Sequence, residues 1–183
     1  SERAGTSNIS FLQRDFAQLM DDDLPPFDFI TLHGVYSWIV PELRRAVVEF
    51  IDRKLVPGGL VYISYNALPG WAPLLPMREI MLTFAENRGV RTSYERARDG
   101  GAYLKFLRER GAGYFTTNAI ASMAVDKLLA SDPRYVAHEY LNAAWTPMYF
   151  HQVASDLRPA GLEYVGSSTV VSGMYSDSAE IGV

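Results

Sequence analysis

Hydrophobic positions in the first 72 residues form three short runs and one helical repeat. The runs are NISFLQRDF, FDFITLHGV and GLVYISYN, and their length and their β-branched and aromatic content predict strands. Between the second and third runs lies PELRRAVVEFIDRKL, whose apolar residues recur at helical spacing: Leu43, Val47, Phe50, Ile51 and Leu55. Pro41 suits the first turn of this helix, and Pro57-Gly58-Gly59 is expected to end it.

This order of strand, helix and strand predicts the parallel crossover of an α/β sheet. Apolar runs such as FITL suit strands that are covered on both faces. Ligands of such sheets bind beyond the carboxyl ends of the strands. Those ends are predicted at Asp15-Phe16, His33-Gly34 and Tyr65-Asn66.

After Trp71 the pattern becomes mostly helical. Three helices are predicted over LLPMREIMLTFAEN, SYERARDGGAYLKFLRERG and NAIASMAVDKLLAS. An aromatic connector beginning at HEYLN follows, then a helix from about Pro147 to Leu157 and one or two strands that return to the sheet. We therefore predict three segments: the sheet region 1–72, a helical domain 73–137, and a connector with helix and strands over 138–183.

Composition and charge limit the classes of partner that this protein is expected to bind. The 183 residues are 48% hydrophobic and 21% charged, with a net charge of −4 and a pI near 5.4. No basic stripe is evident, which argues against nucleic acid. The sequence contains no cysteine, which excludes disulfides and thiolate chemistry. No apolar run has the length of a membrane span and no leader pattern is present, so we expect a cytoplasmic protein that binds a small molecule or another protein.

The stretch PGGLVYISYNALPGW concentrates glycine, proline and aromatic residues around one strand end, which predicts that this end faces a ligand or a second domain. Tyr36, Trp38, Tyr65 and Trp71 either surround an amine through cation–π contacts or pack between two domains. Asn66 either binds substrate or caps a turn. His138, Glu139 and Tyr140 form a polar triplet without the spacing of metal ligands, so no metal site is expected.

Five stretches of the sequence together resemble one class of enzymes. NISFLQRDF, PPFDFITLHGVYSWI, LRRAVVEFIDRKLVPGGLVYISYN, LPGW and HEYLN resemble S-adenosylmethionine-dependent methyltransferases of the Rossmann-like class. The resemblance is narrower to the subgroup with a helical methyltransferase regulatory domain, which includes bacterial protein-lysine methyltransferases. It covers residues 8 to about 166, and the motifs LHGVYSW, SYNALPGW and HEYLN are its most specific parts.

The resemblance implies roles for the residues at the strand ends. Asp15 and the Phe16 N–H would bind the adenine, although Asp15 also suits an N-cap. Leu32, His33 and Gly34 would line the sulfonium end of the cofactor, with His33 as a wall rather than a catalyst. Tyr36, His33 or Tyr65 could assist deprotonation of a lysine acceptor through water. The remaining aromatic and polar residues would contact the substrate: Trp38, Asn66, Trp71, His138 and Tyr140.

The sequence also departs from this family. Neither the glycine-rich turn nor the acidic residue that binds the ribose is present, so we expect a truncated piece that binds cofactor poorly. The competing interpretation is a non-catalytic methyltransferase-like module that binds a protein, and a nicotinamide-dependent oxidoreductase is disfavoured by LPGW and HEYLN.

A piece lacking the first two strands would expose the edge of FDFITL. We expect ISFLQR to move in beside it, or two chains to form a homodimer across it, or the missing strands to be present but unseen. A bare edge is expected least.

Overall fold

The computed structural model describes residues 7–89 and 92–168. Within these residues the chain is a mixed α/β structure, which confirms the predicted fold class. Its two strands are β1 (Phe27–Leu32) and β2 (Leu55–Ile63). Its helices are α1 (Pro41–Lys54), α2 (Leu75–Asn87), α3 (Ser93–Glu109), α4 (Gly113–Thr117), α5 (Ala119–Ala130), α6 (Pro133–Tyr140) and α7 (Phe150–Leu157).

The two strands pair in parallel, with α1 as the connection between them. Leu32 of β1 and Val47 and Ile51 of α1 form the buried centre of this region, and apolar residues of β2 and α7 pack around them. Pro41 occupies the first turn of α1, as predicted. The sheet region therefore has the predicted strand, helix and parallel strand.

Pro57-Gly58-Gly59 lies inside β2 and not between α1 and a later strand. The register is irregular here, because Phe27 pairs with Leu55 whereas Phe29 pairs with Leu60. Gly58 has φ +81°, and a Cβ on Gly59 would lie 3.0 Å from the carbonyl oxygen of Asp28. The two glycines thus allow a bulge in β2 to pass close to β1.

The strand predicted over NISFLQRDF is wrong. Residues 8–15 have no regular secondary structure, and Phe11 is 79% exposed. A strand needs a hydrogen-bonded neighbour, and none of the described strands lies beside this segment. The edge of β1 opposite β2 is likewise unpaired within the described residues, and Phe29 is 57% exposed. The bare edge that we expected least is therefore what the described residues show, while dimerisation across it stays a prediction.

Helices α2 to α6 pack around a second core. Its fully buried side chains include Met77, Met81, Leu104 and Val125. Gly100 of α3 allows close approach of α2, because a Cβ there would lie 2.9 Å from the Cβ of Met81. The three helices predicted after Trp71 are confirmed as α2, α3 and α5. The short helices α4 and α6 were not predicted.

The segment around HEYLN differs from the predicted connector. His138, Glu139 and Tyr140 form the last turn of α6. Asp132 caps the start of this helix by accepting a 2.7 Å hydrogen bond from the Arg134 N–H. The following helix, α7, begins at Phe150 and not at Pro147. No strand forms between 161 and 168, and any return strand beyond 168 lies outside the described residues. An isolated β-bridge pairs Met148 of this segment with Ala67, which follows β2.

Candidate functional site

Ser64 contacts the residues that follow the carboxyl end of β1. The Ser64 hydroxyl accepts a 2.7 Å hydrogen bond from the Gly34 N–H and lies 3.4 Å from His33 Nδ1. Gly34 has φ +64°, and among the described residues beyond its chain neighbours the nearest atom to a Cβ placed there is Trp38 Cζ3 at 3.9 Å. Leu32 is buried and His33 is exposed, with its ring stacked on Tyr62 at 6.2 Å. The backbone at Gly34 is thus accessible to a ligand.

Asp15 and Phe16 lie at the start of a short turn and not at a strand end. Asp15 Oδ1 accepts a 2.8 Å hydrogen bond from the Gln18 N–H, and the Gln18 side chain accepts in turn from the Asp15 N–H. Asp15 therefore caps the turn that begins at Phe16 and leads into the 3₁₀ helix Gln18–Met20, in agreement with the N-cap alternative for Asp15. The Phe16 side chain packs against the core between β1 and α1.

Tyr36 is fully buried rather than open to a ligand. It packs with Met148 and Val153, and its hydroxyl donates a 3.2 Å hydrogen bond to Asp156 Oδ2. Arg44 lies over the ring at 5.9 Å and 3.9 Å from the same carboxylate. Burial, followed by the charge and hydrogen bond of Asp156, raises the pKa of the Tyr36 phenol. This hydroxyl is therefore held protonated in a structural contact.

Tyr65 and Asn66 follow β2. Tyr65 is half-buried, and burial and then the neighbouring Tyr164 raise the pKa of its phenol. Asn66 is only 5% exposed. Its backbone N–H donates to Ser37 Oγ at 2.8 Å, and its carbonyl accepts from the Met148 N–H at 3.0 Å. Its side-chain Nδ2 is buried without a hydrogen-bond partner among the described residues.

Segment 138–148 crosses the ends of both strands at a surface that we call the domain junction, formed by residues 36–38, 66–71 and 138–148. The Thr146 N–H donates to the Ser37 carbonyl at 2.8 Å, and the Leu68 N–H donates to the Met148 carbonyl at 2.9 Å. Trp38 stacks on His138 with ring centroids 6.0 Å apart. The Trp38 Nε1 is buried and unpaired within the described part of the chain.

Trp71 and Tyr140 lie deeper in the domain junction. The Trp71 ring is 5.8 Å from Tyr140 and 5.7 Å from Trp145. Arg78 caps this cluster, with its guanidinium 5.1 Å from the Trp145 ring and donating a 2.9 Å hydrogen bond to the Asn142 carbonyl. Burial and then the charge of Glu139 raise the pKa of Tyr140 to about 12. Trp71 therefore packs between the regions, together with Tyr140, which is one of the two alternatives considered for it. Trp38 and His138 reach the surface, and binding of an amine there stays a prediction.

Glu139 is a residue whose role the sequence did not predict. It is half-buried, and burial raises the pKa of its carboxyl group, while His138, the Asn66 side chain and Lys127 lower it to smaller extents. The Asn66 amide approaches this carboxylate without completing a hydrogen bond of normal geometry. The available signal was its position in HEYLN beside an aromatic residue. Recognising it required the helical register of α6, which turns Glu139 towards the strand ends.

No group of three or more His, Asp or Glu side chains is placed to hold a metal ion in 7–89 and 92–168. Among the helices that the structure describes, none combines the length and apolarity needed to cross a membrane.

Comparison with known proteins places this geometry in a family context. Residues 132–180 match the model of a predicted methyltransferase regulatory domain. The whole chain is 42% identical over 183 residues to the uncharacterised protein sll1526 of Synechocystis, covering 99% of this chain and 35% of that protein. It is also 35% identical over 134 residues to the uncharacterised protein RP028 of Rickettsia prowazekii, covering 73% and 53% of the two chains.

Two solved structures are also similar to this chain. The chain is similar to PKMT2 from Rickettsia typhi, with 31% identity and a TM-score of 0.64 over 84% of this chain and 28% of that one. For PKMT2 in complex with AdoHcy the identity is 27% and the TM-score 0.70, over 97% and 36% of the two chains. These findings confirm the resemblance to methyltransferases with a regulatory domain. The chain spans about a third of the length of most of these relatives.

Proposed function

We propose that the full-length protein containing this chain is an S-adenosylmethionine-dependent methyltransferase that modifies lysine side chains of proteins. The observation that carries the proposal is the similarity to AdoHcy-bound PKMT2 along 97% of this chain, at 27% identity. The accessible strand end at Gly34 and the adjoining domain junction support it, because ligands of parallel α/β sheets bind at this edge.

The residues at the end of β1 fit the sulfonium side of such a cofactor. Gly34, with its left-handed backbone and open Cβ direction, would allow the cofactor to approach the main chain, and Leu32 would form an apolar wall. Asp15 and Phe16 remain the candidates for the adenine, and this role requires Asp15 to exchange its bond to Gln18. When bound, S-adenosylmethionine would supply a methyl group on a sulfonium, which a neutral amine can attack in line.

The chain's own contribution to the reaction would be positioning and exclusion of water. The lysine ammonium must lose a proton before its lone pair can form the new N–C bond. His33 is our candidate for accepting that proton through water, because its imidazole is exposed at the strand end beside Gly34. Tyr65 would line the site with a protonated phenol, because its raised pKa makes it a poor proton acceptor at neutral pH. We assign Tyr36 to the packing of α7, since Asp156 already holds its hydroxyl.

Trp38, Asn66 and His138 would face the substrate in this scheme, and Trp71 and Tyr140 would support them from below. The domain boundaries at 72 and 137 remain a prediction. Homodimerisation through the β1 edge and a cytoplasmic location also remain predictions.

Calorimetry with AdoHcy on the full-length protein and on this 183-residue chain would test the proposal. We expect binding by the full-length protein and much weaker binding by the chain alone, because the motifs for the ribose and methionine parts are not in this sequence. Failure of the full-length protein to bind AdoHcy would instead support the second candidate, a non-catalytic module that binds a protein. That candidate is favoured by one observation, the match of residues 132–180 to a predicted methyltransferase regulatory domain.

A further inference from the structure

We propose that Glu139, presented beside Asn66, Trp38 and His138 at the end of α6, binds the ammonium group of the substrate lysine. We call these four residues the Glu139 site. The inference rests on the proposed lysine methyltransferase function and names a substrate-binding residue that this function requires.

The first observation is a carboxylate without a salt bridge to lysine or arginine. No Lys or Arg within residues 7–89 and 92–168 forms a salt bridge with Glu139, and the neighbouring His138 has a larger electrostatic effect on this carboxylate than Lys127 has. Half-buried carboxylates are costly to leave unpaired, so such a group is maintained where a ligand completes it. The carboxyl end of α6, with its partial negative charge, favours a positively charged ligand at the same place.

The second observation is independent of the charge. Asn66 is 5% exposed, and its Nδ2 is directed towards Glu139 without completing a hydrogen bond. Trp38 Nε1 is likewise buried without a partner in the described part of the chain. Buried donors of this kind normally have an acceptor. Glu139 is the acceptor within reach of Asn66, so it is Trp38 Nε1 that indicates a polar group supplied from outside. A lysyl residue offers the required combination, because its ammonium donates and its peptide carbonyl accepts.

The third observation is the position of the Glu139 site in the fold. Asn66 follows β2 and Trp38 follows β1, so the Glu139 site lies at the strand edge where the cofactor would bind. His138, whose ring stacks on Trp38, also lines an open groove of about 350 Å³ with Tyr94, Arg134 and Asn142. This groove gives a polypeptide a route to the site from the helical region.

The test uses the full-length protein and two probes, Nα-acetyl-lysine N-methylamide and the norleucine analogue that lacks the ammonium. Binding is followed by ligand-observed NMR with and without AdoHcy. We expect the wild type to prefer the lysine probe about tenfold or more, the value typical of a hydrogen bond to a charged group. Glu139→Gln should lose this preference, and Glu139→Asp should retain part of it. The matched control is Glu86→Gln, an exposed position on α2, which should behave as the wild type.

Three results would overturn the inference. One is a lysine preference that persists in Glu139→Gln, and another is a wild type without any preference. The third is a loss of AdoHcy affinity in Glu139→Gln with unchanged lysine preference, which would assign the carboxylate to the amino group of the cofactor. A wild type that does not bind AdoHcy contradicts the proposed function instead, and the lysine preference is then scored on the cofactor-free protein.

Discussion

Replacing Tyr36 by Phe tests whether this tyrosine supports the fold or takes part in chemistry. The substitution keeps the buried ring and removes the hydroxyl that donates to Asp156 at 3.2 Å. A hydrogen bond to a charged group contributes about 1.5–3 kcal/mol to stability. The low end applies here, because the Asp156 side chain is 43% exposed and retains Arg44 at 3.9 Å.

A loss of about 1.5 kcal/mol corresponds to a fall in melting temperature of about 3–6 °C for a unit of this size. Thermal melting and methyl-transfer kinetics should therefore be measured on the same full-length preparations. We expect Tyr36→Phe to melt earlier and to retain most of its turnover below the transition. The matched control is Tyr103→Phe, which retains its 4.2 Å stack on Phe84 and loses a hydroxyl that donates no hydrogen bond within the described residues.

The opposite pattern would refute this assignment. If Tyr36→Phe melts like the wild type but loses turnover by about a hundredfold, the hydroxyl acts in the reaction, and its contact with Asp156 must break when substrate binds. Equal melting of Tyr36→Phe and Tyr103→Phe with full turnover would show that the Asp156 bond contributes little.

Three further predictions concern the rest of the chain. Burial raises the pKa of Glu139, so ionisation of this side chain destabilises the fold, and stability is lost as pH rises above about 4.5. The melting temperature of Glu139→Gln should therefore exceed that of the wild type by more at pH 7 than at pH 4. The same difference at both pH values would contradict this. Gly100→Ala should cost about 1–3 kcal/mol in chemical denaturation, because its Cβ would meet Met81 at 2.9 Å, whereas Gly113→Ala, with open space, should not destabilise. Trp71→Ala should lower both melting temperature and turnover, since its ring packs on the helical core; lost turnover with unchanged melting would place it in the substrate site.

Local patterns in the sequence predicted the longer helices, which satisfy most of their backbone hydrogen bonds internally. The repeat in PELRRAVVEFIDRKL predicted α1 to within one residue, because Pro41 and the apolar spacing both act locally. The strand over NISFLQRDF failed for the opposite reason. Its apolar content has strand character, but a strand forms only beside a partner, and the described residues supply none.

In the candidate site, too, features set by the local sequence were predicted, whereas features set by distant contacts were not. Strand-end positions such as Gly34 were predictable from the order of strand and helix, because the carboxyl edge of a parallel sheet is fixed by that order. The contact of Tyr36 with Asp156, 120 residues away, has no local signature. Glu139 was visible as part of a polar triplet, but its approach to Asn66 depends on how α6 packs across the strand ends.

Methyl transfer by the full-length protein from labelled S-adenosylmethionine to protein acceptors tests the central proposal most directly, with the modified side chain located by mass spectrometry. We expect label on lysine ε-amino groups and release of AdoHcy in equal amount, with both reduced in Gly34→Val, which adds a side chain where φ is +64°. Label on a residue other than lysine would contradict the proposed acceptor. No transfer to any protein, together with no binding of AdoHcy, would contradict the methyltransferase itself.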